Sequence, residues 1–183
     1  MRFSVFTHVK HIKSEKSIYA YSPYVREMKL WFSQAEEVEI VAPVASGVRD
    51  SISIPYQYEE LFFKAIPSFH LLSPKGSFQA LFKIPLIVYM IFGGMCRSDH
   101  IHLRCPGNIG LIACIVQIFF PYKPKTVKYA GNWDPNAIQP WSYRLQKWIL
   151  SNTFLTRNAK VLVYGNWLNQ SKKYPSFFYR VIF

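Results

Sequence analysis

The chain has 183 residues, half of them apolar and 17% aromatic, with a net charge of +12. That length fits one domain, or one half of a two-domain protein, and the apolar share excludes an intrinsically disordered chain. The positive balance favours an anionic partner: a phosphorylated ligand, an acidic membrane surface or nucleic acid.

Residues 1–8 read as a first strand with Phe3, Val5 and Phe6 inside. The opening "MRFSVFTHVKH" lacks the apolar run of a signal peptide. A polar loop follows to Ser22, and its Lys10, Lys13 and Lys16 are the nearest thing to a basic cluster. "SPYVREMKLWFSQA" predicts a helix, with Ser22 as N-cap and Pro23 in the first turn. Tyr24, Val25, Met28, Trp31, Phe32 and Ala35 fall on one helical face. "EVEIVAPV" (37–44) predicts a second strand. A loop through Gly47 and Pro55 leads to a third strand, "LFFKAI" (61–66).

Residues 77–95 predict an apolar helix that must accommodate Pro85, and "DHIHLRCPG" (99–107) a fourth strand and its turn. Residues 108–120 predict another helix, and "KTVKYAG" (125–131) a fifth strand. Pro140 opens a helix in which Trp141, Leu145, Trp148, Ile149 and Leu155 share a face. "AKVLVYG" (159–165) predicts a sixth strand, with a helical start at 166–173.

This alternation predicts an α/β fold with a largely parallel sheet flanked by helices. Continuous apolar strands agree, because parallel strands are buried on both faces. The apolar runs 84–96 and 109–122 are shorter than the roughly 18–20 residues needed to cross a bilayer. They sit where crossover helices belong. The cysteines Cys96, Cys105 and Cys114 are odd in number and lack C-x-x-C spacing, which fits a reducing cytoplasm.

In an open parallel sheet, ligands bind beyond the carboxyl ends of the strands. No G-x-G-x-x-G and no P-loop signature occurs, so classical NAD binding and P-loop phosphoryl transfer are poorly supported. No Ser-His-Asp order, Cys-His signature or zincin motif occurs either. The first loop offers His8, Lys10 and His11. His100, His102 and Arg104 alternate along one strand face. Two histidines so spaced could hold a metal, but no third ligand is evident and none is expected. Arg104 stands before "PGN", where Gly107, Asn108 and a helix N-terminus offer N–H groups to an anion. A structural ion pair is its other reading. "AGNWDP" supplies Gly131, Asn132 and Trp133, with Trp133 as a stacking face; a turn capped by a core Trp is the bland alternative. The same Gly-Asn-Trp recurs at Gly165 and Asn166, one strand-helix unit later, so both glycines should lie on one rim. His8, Asp134 and Glu27 are the candidate acids and bases. A nucleic-acid partner is not expected: no recognised motif occurs, and the aromatics fall at core spacing.

The series "FTHV…YSPYVREMKLW…EVEIVAPV…DHIHLRCPGNIGL…KYAGNWDP…AKVLVYGNW" resembles the N-terminal half of bacterial family 4 (group 1) glycosyltransferases. It runs over residues 1–168 and is most specific at "PYVREM", "LRCPGN" and the Gly-Asn-Trp pair. The resemblance implies one Rossmann-like half of a GT-B fold, the half that binds a glycan or lipid-linked acceptor. It implies no metal, and a nucleotide-sugar donor bound by a second half. It also implies polysaccharide assembly at the inner membrane face, where each basic residue near an anionic surface contributes about 1 kcal/mol. Carried over by position, the cleft residues are His8, Arg104, Gly107, Asn108, Gly131, Asn132, Gly165 and Asn166, with His8 the candidate catalytic residue. The paired glutamates of the family's donor half have no counterpart here. The expectation is therefore an acceptor half that transfers no sugar alone, with residues 169–183 an atypical tail of a truncated product. The alternative is a small basic membrane-associated protein with no enzymatic role.

Overall fold

The computed structural model describes residues 1–14, 17–45, 50–69, 74–134 and 136–165, with 74–81 as backbone only. The elements are β1 (Arg2–Phe6), β2 (Ile12–Lys13), β3 (Ile18–Tyr21), α1 (Ser22–Phe32), β4 (Glu37–Pro43), β5 (Ser53–Pro55) and β6 (Leu61–Ile66). They continue with α2 (Pro74–Arg97), β7 (His100–Cys105), α3 (Asn108–Val116), β8 (Lys125–Tyr129), α4 (Trp141–Ser151) and β9 (Ala159–Val163). A 3-10 turn, Gln117–Phe119, extends α3.

Six strands form one parallel sheet in the order β6-β4-β1-β7-β8-β9. Counted among themselves in chain order, they stand 3-2-1-4-5-6, the order of a Rossmann-type doubly wound sheet. The order reverses between β1 and β7. From that point the chain builds outward in both directions, so the loops after β1 and β7 diverge and leave a crevice.

Alternation along each strand splits the core into two layers. Phe6, Val41, Leu103 and Val127 face α2, α3 and α4, where Ile87, Ile91, Ala113 and Leu150 meet them. Phe3, Val5, Val38 and Ile40 face α1 and meet Tyr24, Met28 and Phe32. Each such buried aliphatic or aromatic side chain stabilises the fold by roughly 1.5–3 kcal/mol.

All six predicted strands are present. Other expectations need correction. The polar loop after β1 and the Gly/Pro loop after β4 contain β2, β3 and β5, which pair into a small antiparallel sheet. These strands are two to four residues long, too short to show a period in sequence. Ser22 is not the N-cap: Tyr21 occupies that position without a side-chain hydrogen bond, and Ser22 is already helical. The α-helix after β7 ends at Val116 and the predicted span finishes as the 3-10 turn to Phe119, with the Gln117 side chain donating to the carbonyls of Cys114 and Leu155. In α4 the buried stripe is Gln146, Ile149 and Leu150, while Trp141 and Trp148 are 59% and 60% exposed. Apolarity alone could not tell which face of α4 meets α3. The expectations at Asn166, at 166–173 and in the tail lie outside the described residues.

Candidate functional site

The carboxyl ends of β1 and β7 meet at the point where the strand order reverses. Thr7 ends the ladder there: its N–H donates to Val41 O at 3.2 Å, and its hydroxyl accepts from Val9 N at 3.1 Å. This turn lifts His8 out of the sheet onto the rim. From β7, a cis Cys105–Pro106 peptide leads to Gly107, the N-cap of α3. His8 and Gly107 lie in contact. A Cβ on Gly107 would fall 2.6 Å from His8 Nδ1 and 2.8 Å from its Cγ, so only glycine lets the ring sit here.

A cavity of about 280 Å³ opens beside this contact, lined by His8, Lys10, Phe69, Gly107, Asn108 and Tyr143 among others. No side chain caps α3, so its first N–H groups are free to face an anion there, apart from Gly107 N, which donates to Gln146 Oε1 at 3.4 Å. Asn108 Nδ2 donates to Phe69 O at 3.3 Å, which ties the helix start to the loop after β6. The outer edge of the His8 ring is exposed, but its packed side lowers the pKa by desolvation, and the nearby Arg104 charge lowers it further. His8 is therefore neutral at pH 7 and able to accept a proton. A larger hollow, about 510 Å³, lies on the outer flank of α1 against β5 and contains no residue of β1, β7, β8 or β9.

Arg104 leaves β7 on the opposite sheet face, toward α1. There it pairs with Glu27 at 2.5 Å, and its guanidinium lies 5.2 Å from the Tyr24 ring centre. Lys128, beside it on β8, stands 3.6 Å from the same carboxylate. Burial pulls the Lys128 pKa down to about 8, against the pull of Glu27. Two cations thus share one carboxylate, and Arg104 retains some exposure at the rim. Glu27, a candidate acid or base by sequence, is a buried counter-ion that orients Arg104. This neighbour was missed because Glu27 sits on the buried side of a helix whose apolar stripe hid it.

His100 and His102 do share a face, as alternation requires. Both contact Thr126 Oγ1, at 3.0 and 2.8 Å. Among the described residues no cluster of three or more His, Cys, Asp or Glu is placed to hold a metal. His11 is buried, with its Nδ1 2.8 Å from Val9 O and its Nε2 2.8 Å from Tyr56 Oη.

The glycines of the repeated tripeptide both follow strand carboxyl ends, Gly131 after β8 and Gly165 after β9. Their physical reasons differ. Gly165 has φ 87°, a left-handed conformation that side chains resist. Gly131 is required by closeness: a Cβ would stand 2.9 Å from Pro106 Cγ. Asn132 is exposed, but its side chain accepts from Asp134 N at 2.8 Å, and Asp134 in turn accepts from Asn136 N at 2.8 Å. Trp133 corrects the expectation of a stacking face. It is 8% exposed and packs edge-on against Tyr129, with ring centres 4.9 Å apart. The rim after β8 is thus a self-bonded loop with a core Trp.

These features define a Rossmann-like α/β domain with a cavity at its switch point. No protein-family model matches the chain, and no curated protein does.

Proposed function

We propose that the chain is the acceptor-binding half of a glycosyltransferase of GT-B type. In this reading a hexosyl group moves from a nucleotide-sugar to a glycan or lipid-linked acceptor at the cytoplasmic membrane face. One observation carries it: His8 lines one cavity with Gly107 and Asn108, which are distant from it in sequence, at the switch point of a sheet that lacks a dinucleotide glycine loop. Neutral His8 would accept the proton of an acceptor hydroxyl. The α3 N-terminus would favour an anionic group on that acceptor. Gly131, Asn132 and Gly165 shape the rim. The nucleotide-sugar belongs to the second half of such an enzyme, so this chain alone binds acceptor and transfers nothing.

The test is NMR titration of the purified chain with a short-chain prenyl diphosphate-linked monosaccharide, following the His8 ring. Binding should shift the His8 resonances, and Gly107→Val or His8→Ala should weaken it by about tenfold, roughly 1.4 kcal/mol. Shifts confined to other regions, or affinity unchanged in both variants, would overturn the reading. Sugar transfer by the isolated chain would overturn its inactivity alone. A second reading, a non-enzymatic membrane-associated protein, is favoured by the apolar outer face of α2. Carbonate extraction separates the two: a peripheral domain is released, whereas an integral protein stays.

A further inference from the structure

The loops that lead into β8 and β9 enclose another hollow, about 660 Å³ in volume. It lies at the amino ends of β7, β8 and β9, the opposite end of the sheet from the His8 crevice. Small-molecule sites typically measure about 300–1,000 Å³, so its size is in range. Hydrogen bonds hold its walls in place. The buried Lys125 ammonium donates to Lys123 O at 3.1 Å and to Arg157 O at 2.8 Å, which ties the two loops together. Asn158 Nδ2 donates to Tyr122 O at 2.9 Å, and the Thr156 hydroxyl donates to Ile149 O at 2.7 Å.

One sheet face supplies the floor. His100 Nε2 lies 3.0 Å from Thr126 Oγ1, and Thr126 is the register partner of Lys160 on β9. Lys160 and the two partners beside it therefore span three neighbouring strands. Arg157 joins Lys160 from the loop before β9, its guanidinium 4.6 Å from the Phe154 ring centre. Pro124 and Ala159 add apolar wall.

The charge in this hollow has no counter-ion. None of the lining residues is acidic. Among the described residues the acids that form ion pairs meet the N-terminus, Arg2, Arg97, Arg104 and Lys128, and none meets Arg157 or Lys160. Asp99, next to His100, accepts from Arg2 N at 2.8 Å. Between residues 100 and 165 the sequence has one acid, Asp134, and it follows the carboxyl end of β8 at the far side of the sheet. Two cations in one small hollow fit a doubly charged group best. A carboxylate or a phosphodiester brings about one negative charge, whereas a phosphate monoester brings about two and three strong acceptor oxygens.

We propose that this hollow binds a small phosphomonoester. Arg157 and Lys160 hold the phosphate, Thr153 and His100 stand beside it as neutral partners, and the organic body rests on Pro124 and Ala159. The site is separate from the crevice, so the proposal does not depend on the acceptor reading.

The experiment is NMR titration of the full chain with phenyl phosphate, inorganic phosphate and benzyl alcohol as separate probes. Phenyl phosphate should shift the amides of Thr126, Arg157 and Lys160 and bind at least about tenfold more tightly than either other probe. Added salt should weaken that binding. Arg157→Gln with Lys160→Gln should lose about tenfold at unchanged circular dichroism and melting temperature, because both side chains are exposed. Lys29→Gln with Arg144→Gln removes the same charge from exposed positions outside the hollow and should bind as wild type. Affinity no better than that of benzyl alcohol, an equal loss in both double variants, or shifts confined to Gly107 and its neighbours overturns the proposal. Inorganic phosphate bound as tightly as phenyl phosphate would mean an adventitious ion only, and overturns it as well.

Discussion

His11 shows how one residue can be conspicuous in sequence and misleading about its job. It follows His8 by three positions and reads as a second rim histidine, yet it is buried among Tyr24, Tyr56 and Phe63. Burial lowers its pKa to about 4. An unfolded histidine titrates near 6.5, so between about 6.5 and 4 the unfolded chain binds a proton that the folded chain refuses. Stability is therefore present above that window and is lost as pH falls through it, by up to about 3 kcal/mol from this group. Urea titrations across the window should show the loss, and His11→Gln should flatten the slope by about one proton. His8, His100 and His102 also have lowered values and should leave a residual slope. Gly110 tests close packing at the same scale. A Cβ there would lie 2.8 Å from Arg104 O, so Gly110→Ala should destabilise by about 1–3 kcal/mol in chemical denaturation.

At the scale of elements, the informative contact joins α1 to β7 and β8 through Glu27, Arg104 and Lys128. Removing the carboxylate would leave two cations packed together. Glu27→Gln should cost about 3–5 kcal/mol in urea unfolding, and Glu27→Gln with Arg104→Gln should cost less than the sum of the singles. Strictly additive losses would mean that solvent already screens the pair. The same scale explains the α4 error. Trp141 and Trp148, seven residues apart, look like a core stripe, but α3 meets α4 through Gln146 and Ile149. The smaller sheet was illegible for another reason. Ile12 and Lys13 pair with Tyr19 and Ile18, and Tyr19 pairs with Pro55; neither short segment carries a period of its own.

For the whole molecule, the strand order matters more than any single motif. A 3-2-1-4-5-6 sheet places one crevice between the loops after β1 and β7, and His8 and Gly107 stand against each other there. If the proposed acceptor site is at that crevice, binding there should be pH-dependent, with His8 as the sensor. It should hold steady above about 6.5, the ordinary histidine value, and change as pH falls through the lowered His8 value. Calorimetric affinities in wild type and His8→Gln would check this, and an unaltered pH profile in the variant would remove His8 from the site.

Order along the chain was sufficient to establish the strand-helix alternation, the parallel sheet and the placement of both tripeptide glycines at carboxyl ends. Those properties are local: hydrophobic period, turn residues and spacing. Tertiary structure decided the rest. It turned Arg104 toward Glu27 and away from the cavity, and it drew Trp133 into the core. It also assigned the two glycines different roles, because one is fixed by its own backbone angle and the other by Pro106. It left the apolar face of α2 outward. A side chain's direction depends on which neighbour arrives from elsewhere in the chain, and local sequence contains no record of that arrival.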